Sequence, residues 1–383
     1  MSREGVSMKY NRLGRTGVSI SALGFGAMRL PSTKAEGKQV FDTEESVRVI
    51  RRAYELGVNY FDTAPYYCEG QSEVILGKAL KGIRDKVYVS TKNPIEDDSG
   101  SHFRERLEKS LGKLDMGRID FYHMWGISLE TYETRIAAKD GPLSAAVKAR
   151  DEGLIGHLSF SFHDKAENLP KLVDEGVFET VLCQYNILDR SNEEGIAYAK
   201  AKGLGVIVMG PVGGGRLGSP SEVIRALLPG ESRSNAELAL RFVLTNPGVS
   251  CALSGMSSMA QVEENAATAS NLASLTKAEL ESIHASVEEN KRLAELYCTG
   301  CKYCMPCPQE VNIPLNFQLM NYHRVYGITE YAREQYRLIG TVDWMPGKDA
   351  SACTECGQCE EKCPQRLRIR EQLKETRAAL SGS

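Results

Sequence analysis

The sequence predicts an α/β fold: a (β/α)8 TIM barrel carrying a smaller, mostly helical C-terminal domain. Three observations predict it. Eight short runs rich in β-branched residues alternate with longer amphipathic stretches between about Leu23 and Ala269, the count and order that close a barrel. The 383 residues exceed one small domain and suit a large barrel plus an appendage. Eight of the eleven cysteines fall in two tight groups after position 297, which sets that end apart chemically. We place the boundary at 8–290 for the barrel and 291–383 for the appended domain.

Met8-Lys9-Tyr10 reads as the natural start, with residues 1–7 as an extension. Asn11–Ile20 sets Gly14 to Gly17 between two apolar runs, a hairpin expected to cap the barrel floor. The strands follow in order: Ala22–Met28, Asn59–Asp62, Val87–Lys92, Ile119–Trp125, Ile155–Ser161, Thr180–Tyr185, Gly205–Met209 and Val249–Gly255. Helical patterns lie between them at Glu44–Leu56, Ser72–Leu80, Ser101–Leu114, Leu143–Glu152, Glu193–Lys202 and Asn235–Thr245. Capping boxes are expected at Ser191-x-x-Glu194, Ser258-x-x-Gln261 and Thr276-x-x-Glu279. A helix over Thr276–Leu296 leads to the cysteine-rich end. A doubly wound sheet is the rival architecture, but no Gly-x-Gly-x-x-Gly follows the first strand.

Composition excludes several classes. Lys plus Arg number 47 against 50 Asp plus Glu, giving a net charge of -3, without the basic excess of a nucleic-acid binder. No apolar run approaches the roughly 18 residues of a membrane span, and the N-terminus lacks a secretory apolar core. A cytoplasmic protein is expected, so clustered cysteines read as metal ligands rather than disulfides.

The first group is Cys298, Cys301, Cys304 and Cys307 followed by Pro308; the second is Cys353, Cys356, Cys359 and Cys363 followed by Pro364. Three cysteines at two-residue gaps and a fourth before proline form the bacterial ferredoxin run, whose thiolates wrap a [4Fe-4S] cubane. In that arrangement the fourth cysteine serves the other cluster. Crossed ligation therefore puts Cys363 with Cys298, Cys301 and Cys304, and Cys307 with Cys353, Cys356 and Cys359. A pair of structural zinc sites is the alternative, but zinc usually joins two separated Cys knuckles. Two [4Fe-4S] clusters are expected. The first run departs in having a two-residue gap before Cys307, and the span from Cys307 to Cys353 is long for a ferredoxin.

At the ends of the second and third strands stand Asp62, Tyr67 and Lys92, where barrel active sites are built. A tyrosine is a reluctant acid at neutral pH; a neighbouring lysine is expected to lower its pKa, with aspartate holding the lysine. A structural ion pair at the rim is the plainer reading of Asp62 and Lys92.

Here the chain resembles the aldo/keto reductases. Gly24-Phe25-Gly26-Ala27-Met28, Asp62-Thr63-Ala64-x-x-Tyr67, Ser72-Glu73 with Gly77, Thr91-Lys92, Ser161, Gln184-Tyr185-Asn186 and Asn265 stand in that family's order. The resemblance covers roughly Met8 to Ala269 and implies a metal-free, nicotinamide-dependent carbonyl reductase barrel, with Tyr67 as proton donor supported by Asp62 and Lys92. The family's histidine at the end of strand four is replaced by Trp125. His123, two residues earlier, shares its face and would lie 6–7 Å deeper, roughly two residues of strand rise. It is either the fourth catalytic member or a packed interior histidine, and His163 after strand five competes with it.

The resemblance also implies that Ser161 and Gln184 hold the nicotinamide amide. The neighbouring asparagine position is Phe162, and the stacking aromatic is replaced by Met209. Gly213, Gly214 and Gly215, with the helix start carrying Gln261 and Asn265, could cradle phosphate through backbone N–H groups; a tight turn and a capping box are the plainer readings. Neither Gly255 nor Gln261 is basic and Arg216 is the nearest cation, so NAD(H) is supported at least as well as NADP(H). Arg366–Arg370 could dock an acidic electron donor or form one solvated helix face.

The expected function is oxidoreduction of a small-molecule carbonyl or alcohol with nicotinamide, with clusters for electron transfer and an electron-transfer protein as a candidate partner. Nicotinamide moves electrons as hydride pairs and clusters move them singly. One alternative is therefore a cluster-fed enzyme using flavin or direct substrate reduction at the barrel mouth. Another is a non-catalytic electron carrier or assembly subunit.

Overall fold

A computed structural model describes residues 7–35, 38–218, 221–227, 234–271, 273–295, 298, 300, 302–363 and 366–382. Eight parallel strands close into a barrel in chain order. They are β1 (Leu23–Gly26), β2 (Tyr60–Asp62), β3 (Tyr88–Pro94), β4 (Ile119–Ile127), β5 (Ile155–Phe162), β6 (Thr180–Gln184), β7 (Gly205–Met209) and β8 (Cys251–Gly255). Every expected strand is present. β4 runs two residues past its expected end, because Gly126 takes a left-handed turn and Ile127 rejoins β5 after a register shift.

The expected hairpin pairs Tyr10–Arg12 with Ser19–Ser21. Leu13 and Ile20 from it join Tyr60, Phe121, Leu182, Ile207 and Cys251 in one buried cluster that fills the floor. The opposite end of the barrel is thereby left to carry polar chemistry. The outer helices bury their apolar stripes as the 3.6-residue period requires: in Thr43–Glu55 the buried residues are Ser46, Val49, Ile50 and Ala53. A short helix, Leu169–Asp174, escaped the sequence reading because six residues with Pro170 near the start give too little period.

Two capping boxes hold in different degrees. Thr276 and Glu279 cap reciprocally, with Thr276 N–H on the Glu279 carboxylate at 2.7 Å and Glu279 N–H on Thr276 Oγ1 at 3.2 Å. Ser258 accepts from Gln261 N–H, while the Gln261 amide oxygen takes the Ser257 N–H at 2.8 Å. The box expected at Ser191–Glu194 is absent. Asn192 stands at the helix start without a side-chain cap, and Ser191 Oγ donates instead to Asp189 at 2.7 Å. The aspartate two residues back competes for the hydroxyl and wins.

By their contacts the described residues fall into two compact units, Met1–Val212 with Ala239–Leu275, and Gly213–Leu238 with Thr276–Ser383. The second unit is mostly helical, with helices Lys277–Glu295, Ile313–Arg324, Thr329–Tyr336 and Ile369–Leu380. Its core gathers Val311, Ile313, Phe317, Tyr336, Ile369 and Leu373, and several cysteine thiols pack against that core. No helix among the described residues is long and apolar enough to cross a membrane.

Candidate active site

Asp62 ends β2, and Lys92 lies on β3 opposite His123 on β4. The sheet register thus sets carboxylate, ammonium and imidazole side by side before any loop is considered. Lys92 Nζ donates to Asp62 Oδ2 at 2.5 Å and to the Thr63 carbonyl at 2.7 Å. Both side chains are almost sealed, at 2% and 3% exposure. A buried ammonium is tolerable only when paired and hydrogen-bonded in this way. The other Asp62 oxygen accepts from Ser90 Oγ at 2.7 Å. Ser90 precedes Lys92 by two on the same inward face, a period-two signal that the sequence reading passed over.

Tyr67 comes from the loop after β2. The loop is tied down where it meets the next helix: Ser72 Oγ lies 2.6 Å from Thr63 Oγ1 and 2.7 Å from the Ala27 carbonyl. Lys92 Nζ stands 4.8 Å from the centre of the Tyr67 ring. Burial raises the Tyr67 pKa, and Asp62 adds to the rise while Lys92 pulls against it. The net shift is upward, so the expectation that Lys92 brings this pKa below its ordinary value is corrected: desolvation of the phenolate outweighs the ammonium. Burial also acts to lower the Lys92 pKa, but Asp62 and Tyr67 together raise it above its ordinary value.

His123 is fully buried, with Nε2 4.0 Å from Asp62 Oδ1. Neither ring nitrogen has a well-formed hydrogen bond. Burial, and then Lys92, push its pKa down to about 3, against a weaker upward pull from the Phe160 backbone. The imidazole is neutral at any pH near 7. Trp125 stands one layer nearer the mouth, opposite Pro94. Its ring meets Tyr67 edge-on with centroids 5.8 Å apart, and Tyr66 at 5.5 Å. His163 is exposed at the end of β5, and its pKa is lowered by partial desolvation.

The residues expected to hold nicotinamide lie in the same unit. Ser161 Oγ accepts from Gly126 N–H at 2.7 Å, which leaves its own proton free to donate. Gln184 ends β6 with its amide against Gly210. A β-carbon at Gly210 would fall 2.3 Å from Gln184 Oε1, so only glycine leaves that amide in place. Asn265 is buried and donates to Ser254 Oγ at 3.2 Å. Gln261 is engaged in the cap already described. Gly213, Gly214 and Gly215 form a tight turn at φ of 58°, 68° and 99°, and they group with the second unit. The Arg216 side chain lies outside those described.

The cysteine runs share one backbone device. In the first, Gly300 and Lys302 have φ of 71° and 66°; in the second, Glu355 and Gly357 have 60° and 80°. Left-handed residues thus stand on either side of the second cysteine position at the same two offsets in both runs. Cys301 itself lies outside the described residues. Cys307 of the first run lines the same cavity as Cys353, Cys356 and Cys359 of the second, and Cys304 lines it as well. Among the described residues no three His, Cys, Asp or Glu side chains are gathered closely enough to hold a single ion. Thiols arrayed around a cavity fit a multi-iron cluster better than a zinc, whose sulfurs must all lie about 2.3 Å from one point. Arg368 and Arg370 are ion-paired with Glu371 and Glu360 at 3.0 and 2.8 Å, as solvated helix-end charges are.

The aldo/keto reductase family profile matches residues 22–288 and a 4Fe-4S dicluster domain profile matches 297–368. The L-galactose dehydrogenase of Arabidopsis thaliana is 31% identical over 70% of this chain and 90% of that one. The NADH-specific methylglyoxal reductase of Escherichia coli is 29% identical over 60% of this chain and 74% of that one. The holo form of an aldo-keto reductase from Bacillus halodurans superposes with a TM-score of 0.63 and 29% identity, covering 73% of this chain and 96% of that one. The chain belongs to the aldo/keto reductase family of oxidoreductases, and it carries a 4Fe-4S dicluster domain C-terminal to the barrel in sequence.

Proposed function

We propose that the barrel interconverts a small carbonyl and its alcohol, with Tyr67 exchanging the proton with the substrate oxygen. The observation that carries this reading is the Lys92 ammonium, held between Asp62 at 2.5 Å and the Tyr67 ring at 4.8 Å, with both charged side chains sealed from water. In such surroundings charge–charge effects are stronger than in solution. Because burial keeps Tyr67 protonated at neutral pH, the phenol retains its proton until a nearby oxygen becomes basic enough to take it. Lys92 then stabilises the phenolate left behind, and Asp62 keeps Lys92 charged. His123, level with Lys92 and sealed, packs as a neutral ring beside Asp62, with Nε2 4.0 Å from Oδ1. A reduced nicotinamide bound near Ser161 and Gln184, with Asn265 and Gln261 as further candidate contacts, would supply the hydride.

In the second unit the eight cysteines would hold two [4Fe-4S] clusters, which supply single electrons. The shared cavity of Cys307, Cys353, Cys356 and Cys359 supports crossed ligation. Anaerobic turnover of a carbonyl with NADH, compared between the native chain and Tyr67→Phe, tests the main reading. Activity that survives the substitution refutes it.

A further inference from the structure

Trp125 stands where the family's carbonyl-facing histidine would be, and the reading above leaves it without a role. The β4 register explains its level. His123 is paired with Lys92, and Trp125, two residues on, with Pro94. Trp125 therefore rises above the ionic layer to the height of the Tyr67 ring, which it meets edge-on at 5.8 Å. Tyr66 completes a corner with it at 5.5 Å, although Tyr66 itself is 58% exposed. An exposed tyrosine would ordinarily swing freely, but this one is clamped. Its hydroxyl donates to Glu96 Oε1 at 2.6 Å, and Glu96 Oε2 accepts from Arg106 at 3.0 Å. Arg106 also binds Asp97 at 3.1 Å, and Asp97 lies 2.8 Å from His102 Nδ1. A chain of polar contacts thus holds an aromatic ring in place at the barrel mouth.

We propose that Trp125 and Tyr66 select a carbonyl attached to a planar, conjugated group, which packs into their corner while its oxygen meets Tyr67. The proposal rests on the carbonyl-reductase reading and names its substrate class. The ring faces point to that group: electron-rich indole and phenol faces favour flat, electron-poor partners. Trp125 also takes the place of a second oxygen-directed donor, and His123 is sealed one layer below. A carbonyl polarised by Tyr67 alone must therefore be electrophilic already, as one flanked by a second carbonyl is. In the reaction the C=O π bond breaks, a C–H bond forms with the electron pair from reduced nicotinamide, and an O–H bond forms with the Tyr67 proton. Nothing further is consumed.

The test uses the full chain, anaerobically, with 1-phenyl-1,2-propanedione as planar probe, for its phenyl ring, and methylglyoxal as the α-dicarbonyl counterpart that lacks the ring. The native chain should favour the planar probe at least tenfold in kcat/KM, and Trp125→Leu and Tyr66→Leu should each bring the ratio towards one. A binding readout is independent of turnover. The chain has two tryptophans, so in Trp344→Phe the emission comes from Trp125, and the planar probe should quench it saturably at concentrations where methylglyoxal does not. Saturable quenching without turnover would sink the carbonyl-reductase reading and leave the corner as a planar-group site. Equal or greater preference for methylglyoxal, or no saturable quenching, overturns the inference itself.

Discussion

Lys92 Nζ lies 2.5 Å from Asp62 Oδ2, and both side chains are sealed from water. Neither residue can be removed alone without stranding the other. Lys92→Met should therefore lower stability by roughly 3–5 kcal/mol, the usual cost of leaving a buried charge without its partner. Replacing both residues with apolar ones should restore much of that loss and no activity. Urea titration of the single and double variants checks the first half, and turnover the second.

Tyr67→Phe removes the proton and almost nothing else. General acid catalysis contributes about 10²–10⁴-fold, so kcat should fall by at least a hundredfold while nicotinamide affinity and iron content stay the same. Because the Tyr67 pKa is raised, carbonyl reduction should show no loss from ionisation of this phenol between pH 6 and 9. A rate that drops with an apparent pKa inside that window would assign the acid elsewhere.

His123 makes stability depend on acid. Its ring titrates near 6.5 when unfolded and at about 3 when folded. Between those values the unfolded chain binds a proton that the folded chain refuses, so stability is full above pH 6.5 and falls as pH drops. The slope is at most about 1.4 kcal/mol per pH unit. Urea midpoints at pH 7 and pH 5 should differ clearly less in His123→Phe than in the native chain. Equal differences would show that other groups carry the acid sensitivity.

Crossed ligation predicts which cluster each cysteine serves. Anaerobic protein should hold about eight irons and eight sulfides, two cubanes. Cys307→Ser should then remove the same paramagnetic signal as Cys356→Ser, although the two residues sit in different runs. If Cys307→Ser instead matches Cys298→Ser, each run ligates its own cluster.

Cofactor choice follows from two missing charges. Gly255 and Gln261 offer no cation to a 2′-phosphate, where charge-assisted hydrogen bonds contribute roughly 1.5–3 kcal/mol each. NADH should bind at least as tightly as NADPH in a calorimetric titration. A strong preference for NADPH would mean that another cation, such as Arg216, meets the phosphate.

Much of this was legible in the sequence because it depended on period and spacing. All eight strands followed from β-branched runs, and Asp62 and Lys92 from their places at strand ends. The cysteine runs were legible by spacing alone. What escaped depended on competition between neighbours. Ser191 was expected to cap a helix, but Asp189 takes its hydroxyl. Lys92 was expected to set the Tyr67 pKa, yet burial outweighs it, and burial is a property of the packed barrel. Trp125 could be seen as a departure from a pattern. Its contact with Tyr66 and Tyr67 needed the register of β3 on β4.

The cavity that Cys307 shares with Cys353, Cys356 and Cys359 also has a topological meaning. A metal group bound there would join chain segments separated by helices Ile313–Arg324 and Thr329–Tyr336, closing them into a ring as a disulfide would. By the chain-entropy relation a ring of that length is worth about 4 kcal/mol. Oxygen that destroys the cluster would then do more than remove an electron relay. It would open the ring, and the helices between the runs would become the first part of the chain accessible to a protease.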